Sequence, residues 1–455
     1  MSCSRLRTMP PSAKLSAFLS SRLHWPELSS RPRPRQFVAN LGWLFAEKGL
    51  RVAIGLLVGA WVARYLKPSG FGLLSYATAF VMLFSALAGM GLESIVVREL
   101  VRNPTARDEI LGTSWLLRLV GSSAAFLLTI IAIVLLRPGD GAMHALVGII
   151  AAGVFLQSLE VIDCWFQSQV RSKHVAIARS SALVLISAVR VGLVLGQAPL
   201  VAFAWCALGE VAAASVGLAV AYGLRGGRLR AWRVSAERAK ALLRDSWPLV
   251  FSGVVIMIYM RIDQLMLGAM VGPEEVGIYA SAVRLAELWY FVPMAVYSSA
   301  LPSIVEARAI SEELFFSRLQ RLYNAMALIG YAVALPVTVL APWIVDYLFG
   351  SAYHRAAPML AVLIWAGLFT SLGVARAAFL TAMNWTKLHF MTLLLGAIVN
   401  VFLNMLLIPS HGGMGAVIAS CVAYWLVAHG ACFVFKPLRR TGVMLTKALI
   451  FPKPW

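Results

Sequence analysis

Seven basic residues, Lys48, Arg51, Arg118, Arg190, Arg261, Arg284 and Arg376, fall inside stretches long and apolar enough to cross a lipid bilayer. A charged side chain at the centre of a membrane helix costs about 2.5 to 3.5 kcal/mol even on insertion scales, so such residues face a cavity or a partner. Acids are scarcer there, and the interior surplus is positive. A cationic interior suits an anionic group, above all a phosphate, which arginine holds by charge-assisted, often bidentate hydrogen bonds.

The spacing of these residues sorts them. Lys48 and Arg51 are three apart and share a helix face, and Glu47 and Arg51 are four apart and within pairing reach. Both cations lie near the end of their span, so snorkelling to lipid headgroups is the competing reading. Arg261 is mid-span and too deep to snorkel. Asp263, two residues on, points to a different face. Arg284 and Glu287 are three apart and could satisfy each other. Arg190 is mid-span, and Glu210, deep in the next span, calls for neutralisation by an arginine such as Arg190, or serves proton coupling. The candidate cationic cavity is therefore Lys48, Arg51, Arg190, Arg261 and Arg284, with Asp263, Glu210 and Glu287 as coupling or structural acids. Glu160 and Asp163 read as boundary residues.

These positions depend on a framework of helices. The 455 residues are 60% hydrophobic and only 13% charged, with a mean hydropathy of +0.79. That excludes an ordinary soluble multidomain protein. Apolar runs give twelve candidate spans: 43–63, 71–92, 113–136, 142–162, 180–196, 199–222, 247–269, 280–303, 323–349, 359–383, 388–408 and 413–435. Lys and Arg on alternate sides count 29 against 4, which predicts both termini in the cytoplasm and explains the net charge of +20 without nucleic acid. Five scattered cysteines lack metal-ligand or redox spacing. No metal or cofactor is expected, and no P-loop, GxSxG, HExxH or CxxC motif supports catalysis. No cleavable signal peptide is expected.

The basic stretch 223–246 divides the spans six and six. The expected organisation is an all-α membrane protein of about twelve transmembrane helices in two six-helix lobes. A disordered basic tail (1–42) precedes an N-terminal lobe (43–222). A basic linker (223–246), a C-terminal lobe (247–435) and a second basic tail (436–455) follow. Equal even halves permit a parallel repeat. PSGFGLLSYA (68–77) aligns with PEEVGIYASA (273–282), matching Pro68 with Pro273, Gly72 with Gly277 and Ala77 with Ala282. Ser246 is expected to cap the seventh span, with Pro248 in its first turn.

The segment 245–306 carries a family likeness. Its marks are Asp245-Ser246-Trp247-Pro248, Arg261-Ile262-Asp263-Gln264, Val276-Gly277-Ile278-Tyr279 and Leu301-Pro302. Together with FGLLSYATAFVMLFSALAGMGLESIVVREL (71–100), it resembles the Wzx-type polysaccharide flippases of the multidrug/oligosaccharidyl-lipid/polysaccharide (MOP) exporter superfamily. The resemblance implies a V-shaped, MATE-like transporter of the bacterial inner membrane. Its implied substrate is an oligosaccharide on undecaprenyl pyrophosphate, moved to the periplasmic leaflet by alternating access for exopolysaccharide, capsule or O-antigen. Membrane lipids, a polysaccharide polymerase and chain-length proteins are the implied partners, and the protein is not an enzyme. The competing readings are a drug/cation antiporter of the same superfamily, which should show acids in its cavity, and a polysaccharide polymerase, which would need a large polar loop.

Overall fold

The computed structural model describes residues 34–453, all helix and short connections with no strand among them. Most of the expected 1–42 tail lies outside the described residues, and its last part is helical from Pro34. Ten helical stretches are long and apolar enough to cross a membrane. Two of the ten are helix pairs fused across a break. The first, Pro34–Gly89, breaks at Lys67 (φ 59°, ψ 170°) into α1 and α2. Pro68 forces this break by driving the preceding residue out of the helical region. A straight helix would separate Arg51 and Met82 by about 46 Å, yet both line one cavity, so the chain reverses there. The second, Thr386–Val434, breaks at Gly412 (φ 56°, ψ −133°), a conformation suited to glycine, into α12 and α13. A Cβ on Gly396 would lie 2.0 Å from Val427, which shows the same reversal.

The remaining elements are a short amphipathic α3 (Glu93–Arg102), α4 (Arg107–Leu136), α5 (Gly141–Ser168), α6 (Lys173–Leu195), α7 (Leu200–Leu224), α8 (Ala236–Met270), α9 (Pro273–Ile310), α10 (Glu312–Phe349), α11 (Ala356–Ala382) and α14 (Arg439–Ile450). Setting α3 and α14 aside leaves the expected twelve crossings among the described residues. Large apolar side chains such as Leu135 on α4, Trp343 on α10 and Phe402 on α12 point outward, as lipid-facing surfaces require.

Two boundaries differ from expectation. The seventh span starts inside the basic linker at Ala236, because Ser235 accepts the backbone N–H of Arg238 as an N-cap. Ser246 is thus a buried mid-helix residue bonded to the Leu243 carbonyl, and Pro248 sits within the helix. The linker is also fastened to the first lobe, since Arg238 pairs with Glu109 at 2.9 Å and Trp232 donates to the Tyr222 hydroxyl at 3.1 Å. The C-terminal basic stretch likewise forms α14, whose Leu445 and Ala448 are buried against Phe315 and Leu319 of α10.

The two repeat motifs meet each other. A Cβ on Gly72 would lie 1.7 Å from the Pro273 carbonyl oxygen, and one on Gly277 would lie 2.0 Å from that of Pro68. This reciprocal backbone contact seals the two halves at the end that carries Lys67 and Gly272. Arg137 donating to the Gly268 carbonyl at 2.5 Å, Tyr353 to that of Ala63 at 2.7 Å, and Arg64 to that of Tyr347 reinforce the seal.

Candidate functional site

Behind that seal, a cavity of about 470 Å3 lies between α1, α2, α6, α7, α8 and α9. Arg51, Arg190, Arg261 and Arg284 line it, with Glu287 as an acid in its wall. Helical spacing places Arg261 with Gln264, and Arg284 with Glu287, on the cavity faces of α8 and α9.

Three of the four arginines are paired. On the N-terminal side, Glu210 of α7 accepts from Arg190 at 2.9 Å and from Arg51 at 3.4 Å, and Arg51 also bonds Glu47 at 3.1 Å. The expected pairings of Arg190 with Glu210 and of Arg51 with Glu47 are therefore present. Arg51 is the most open of the set, its side chain 44% exposed, toward the end away from the glycine seal. On the C-terminal side, Arg261 meets Glu287 in a bidentate fork at 3.1 and 3.2 Å.

That fork overturns the expected Arg284–Glu287 pair. Sharing a helix face does not make two residues partners when a third reaches the acid from the facing helix, and Arg261 does so. Arg284 turns the other way, over the Phe71 ring at 5.7 Å, and its guanidinium occupies space left by Gly59, where a Cβ would lie 2.5 Å from a terminal nitrogen. Among the described residues Arg284 has no hydrogen bond and no carboxylate within ion-pair distance. Phe71 and Gly59 are site residues that sequence reasoning missed. The available signal was Gly55 and Gly59, four apart, which mark a bare face on α1.

Two further candidates fall elsewhere. Lys48 is exposed and lines no part of the cavity, as the snorkelling alternative requires. Asp263 is 4% exposed and turned away into the C-terminal lobe, where Tyr279 and Ser420 (3.1 Å) donate to it, as does the Gln264 backbone N–H (2.8 Å). It ties α8, α9 and α13 together. Glu160 and Asp163 are more than boundary residues. Arg179 bonds Asp163 at 2.9 Å, and the buried Arg118 lies 3.8 Å from Glu160.

Among described proteins, a family model for "Polysaccharide biosynthesis protein" matches residues 37–307, and the MatE model matches residues 248–406. The chain is 26% identical over 201 residues to the probable flippase AglR of Haloferax volcanii, covering 42% of this chain and 42% of that relative. The match thus spans about two fifths of the relative's length. In three dimensions the chain is similar to the lipid II flippase MurJ in an inward closed conformation, with a TM-score of 0.70 and 14% identity over 91% of each chain. It is also similar to an inward-facing multidrug resistance MATE transporter of the MOP superfamily, with a TM-score of 0.69 and 19% identity over 88% of this chain and 96% of that one. With more than half its length matched by one family model and its helices arranged as in these transporters, the chain belongs to the polysaccharide biosynthesis protein family and has the MOP superfamily fold.

Proposed function

We propose that this protein is a flippase for a lipid-linked oligosaccharide. The cavity holds the phosphate-bearing link of the lipid carrier while the lipid tail stays in the bilayer. The observation that carries this reading is Arg284, a cavity cation with no hydrogen bond and no carboxylate within ion-pair distance among the described residues. An entering anionic group supplies the missing counter-charge, and the planar guanidinium fits it bidentately. The finer reading is a repeat unit on undecaprenyl pyrophosphate, moved by alternating access from the cytoplasmic to the periplasmic leaflet of the inner membrane. It would feed exopolysaccharide, capsule or O-antigen synthesis, with membrane lipids, a polymerase and chain-length proteins as partners. A relative named a probable flippase and the seal at one end of the cavity support it.

The MatE match over 248–406 favours a second reading, a drug/cation antiporter. It requires an unpaired acid facing the cavity. Glu210 and Glu287 are both held by arginines, which weighs against it.

The test is complementation of a flippase-null strain with the membrane protein quantified. Arg284→Ala should reach the membrane at the normal level and lower export about ten- to hundredfold, the loss of one charge-assisted contact worth roughly 1.5–3 kcal/mol. Arg284→Lys should retain part of the export. Full export by Arg284→Ala overturns the reading. Orientation is checked separately: reporter fusions at Lys67, Gly272 and Ser351 should report periplasm, and those at Arg230 and Arg439 cytoplasm. A cytoplasmic signal at Gly272 refutes the two-times-six insertion.

A further inference from the structure

We propose that the C-terminal lobe contains a second, enclosed anion site, built around Arg376 and suited to a small monovalent anion of the halide class. Arg376 projects from α11 and is 0% exposed. A guanidinium carries five N–H donors and keeps its charge in proteins. Among the described residues it has two partners, both neutral: the Thr392 hydroxyl at 2.9 Å and the Cys432 sulfur at 3.7 Å. Its Nε has no partner among the described residues.

The acids on nearby elements are engaged elsewhere. Asp263 is bound by Tyr279 and Ser420, Glu287 by Arg261, Glu312 by Arg440 and Asp346 by His354, while Glu313 is exposed. Arg118 provides the comparison. It is 5% exposed, yet it has Glu160 at 3.8 Å. Leaving a fully buried cation without a counter-charge is strongly destabilising, so Arg376 calls for an anion.

The surroundings supply donors for one. The Tyr323 hydroxyl on α10, and Nδ1 of His389 on α12 in the tautomer that carries its proton there, are buried, unpartnered among the described residues and within electrostatic reach of Arg376. The apolar Leu372, Ala375 and Phe379 belong to the same packed region. Donors in an apolar shell fit a weakly hydrated ion. The full enclosure excludes a lipid headgroup or pyrophosphate. The site is separate from the central cavity, since none of Arg376, Tyr323, His389 and Thr392 lines that cavity. A bound halide would join α10, α11, α12 and α13 and so fix the lobe as a rigid body.

The experiment measures thermal unfolding of the purified full chain in sodium chloride against sodium gluconate at matched ionic strength. The unfolding temperature should rise saturably with chloride, as it does for any ligand that binds only the folded state. The rise should vanish in Arg376→Met and persist in Arg284→Met. If Arg376→Met does not fold, Tyr323→Phe keeps the cation, removes one donor and should raise the half-saturating chloride concentration about five- to tenfold. Anomalous density from bromide should appear beside Arg376. Equal unfolding temperatures in chloride and gluconate overturn the proposal. So does a chloride effect lost in Arg284→Met and kept in Arg376→Met, or one that Tyr323→Phe leaves unchanged.

Discussion

The two walls of the cavity solve the same electrostatic problem differently. On the N-terminal wall, Arg51 and Arg190 share Glu210, and Glu47 adds a second acid, so two cations meet two anions in one connected group. On the C-terminal wall, Arg261 and Glu287 close on each other and leave Arg284 over. The first wall is neutral and redundant, because either arginine can go and Glu210 still has a partner. The second is net positive and has no reserve. Arg284 also belongs to one lobe by chain and to the other by contact, since it rests on Phe71 and beside Gly59. Under the proposed function, a ligand that drew this side chain toward itself would change the contact between the lobes and so would join binding to movement.

Breaking the C-terminal wall should have the larger effect. Arg261→Ala frees Glu287, which lies three residues from Arg284 on the same helix and can then capture it. Export should fall to within a few-fold of the Arg284→Ala level, and adding Glu287→Gln should restore much of it. A double variant no better than Arg261→Ala would show that Arg261 itself grips the substrate. The next effect is steric. Gly59→Leu fills the space that Arg284 occupies and should lower export about five- to tenfold at normal membrane level, within the roughly 1–3 kcal/mol range of overpacking. Equal export by this variant would remove Gly59 from the site. The smallest effect belongs to the N-terminal wall. Arg190→Ala leaves Glu210 bound to Arg51 and should change export by no more than about fivefold, as the loss of a partly exposed pair worth roughly 0.2–1 kcal/mol implies. A loss as deep as that of Arg284→Ala would erase the distinction between the walls.

The helices were legible from hydrophobic runs alone, because a span needs about 20 apolar residues and little else. Fusion across Lys67 and Gly412 still left each crossing readable. The start of α8 was not, since Asp245-Ser246-Trp247-Pro248 imitates a cap while Ser235 provides the real one. Within the site, Arg190 and Glu210 were readable as partners because their two helices are joined by a very short turn, from Gly196 to Pro199. The Arg261–Glu287 fork was not. It depends on how α8 and α9 rotate against each other, and i, i+3 spacing pointed to Arg284 instead. For Asp263 the sequence left a coupling and a structural role open, because depth in a span is visible in sequence, whereas facing the cavity or the lobe interior is a property of packing.

The glycine contact between the two motifs makes each of them a steric limit on the other. Gly72 abuts the turn that begins at Pro273, and Gly277 abuts the turn that begins at Pro68, so each repeat sets the size limit for the other. Elsewhere the halves can diverge, because a larger residue on one side can be matched by a smaller one opposite. At these two positions no such exchange exists, since each is already the smallest residue. Geometry leaves no room for a side chain at either position. The matches of Pro68 with Pro273 and of Gly72 with Gly277 between the halves fall at this contact.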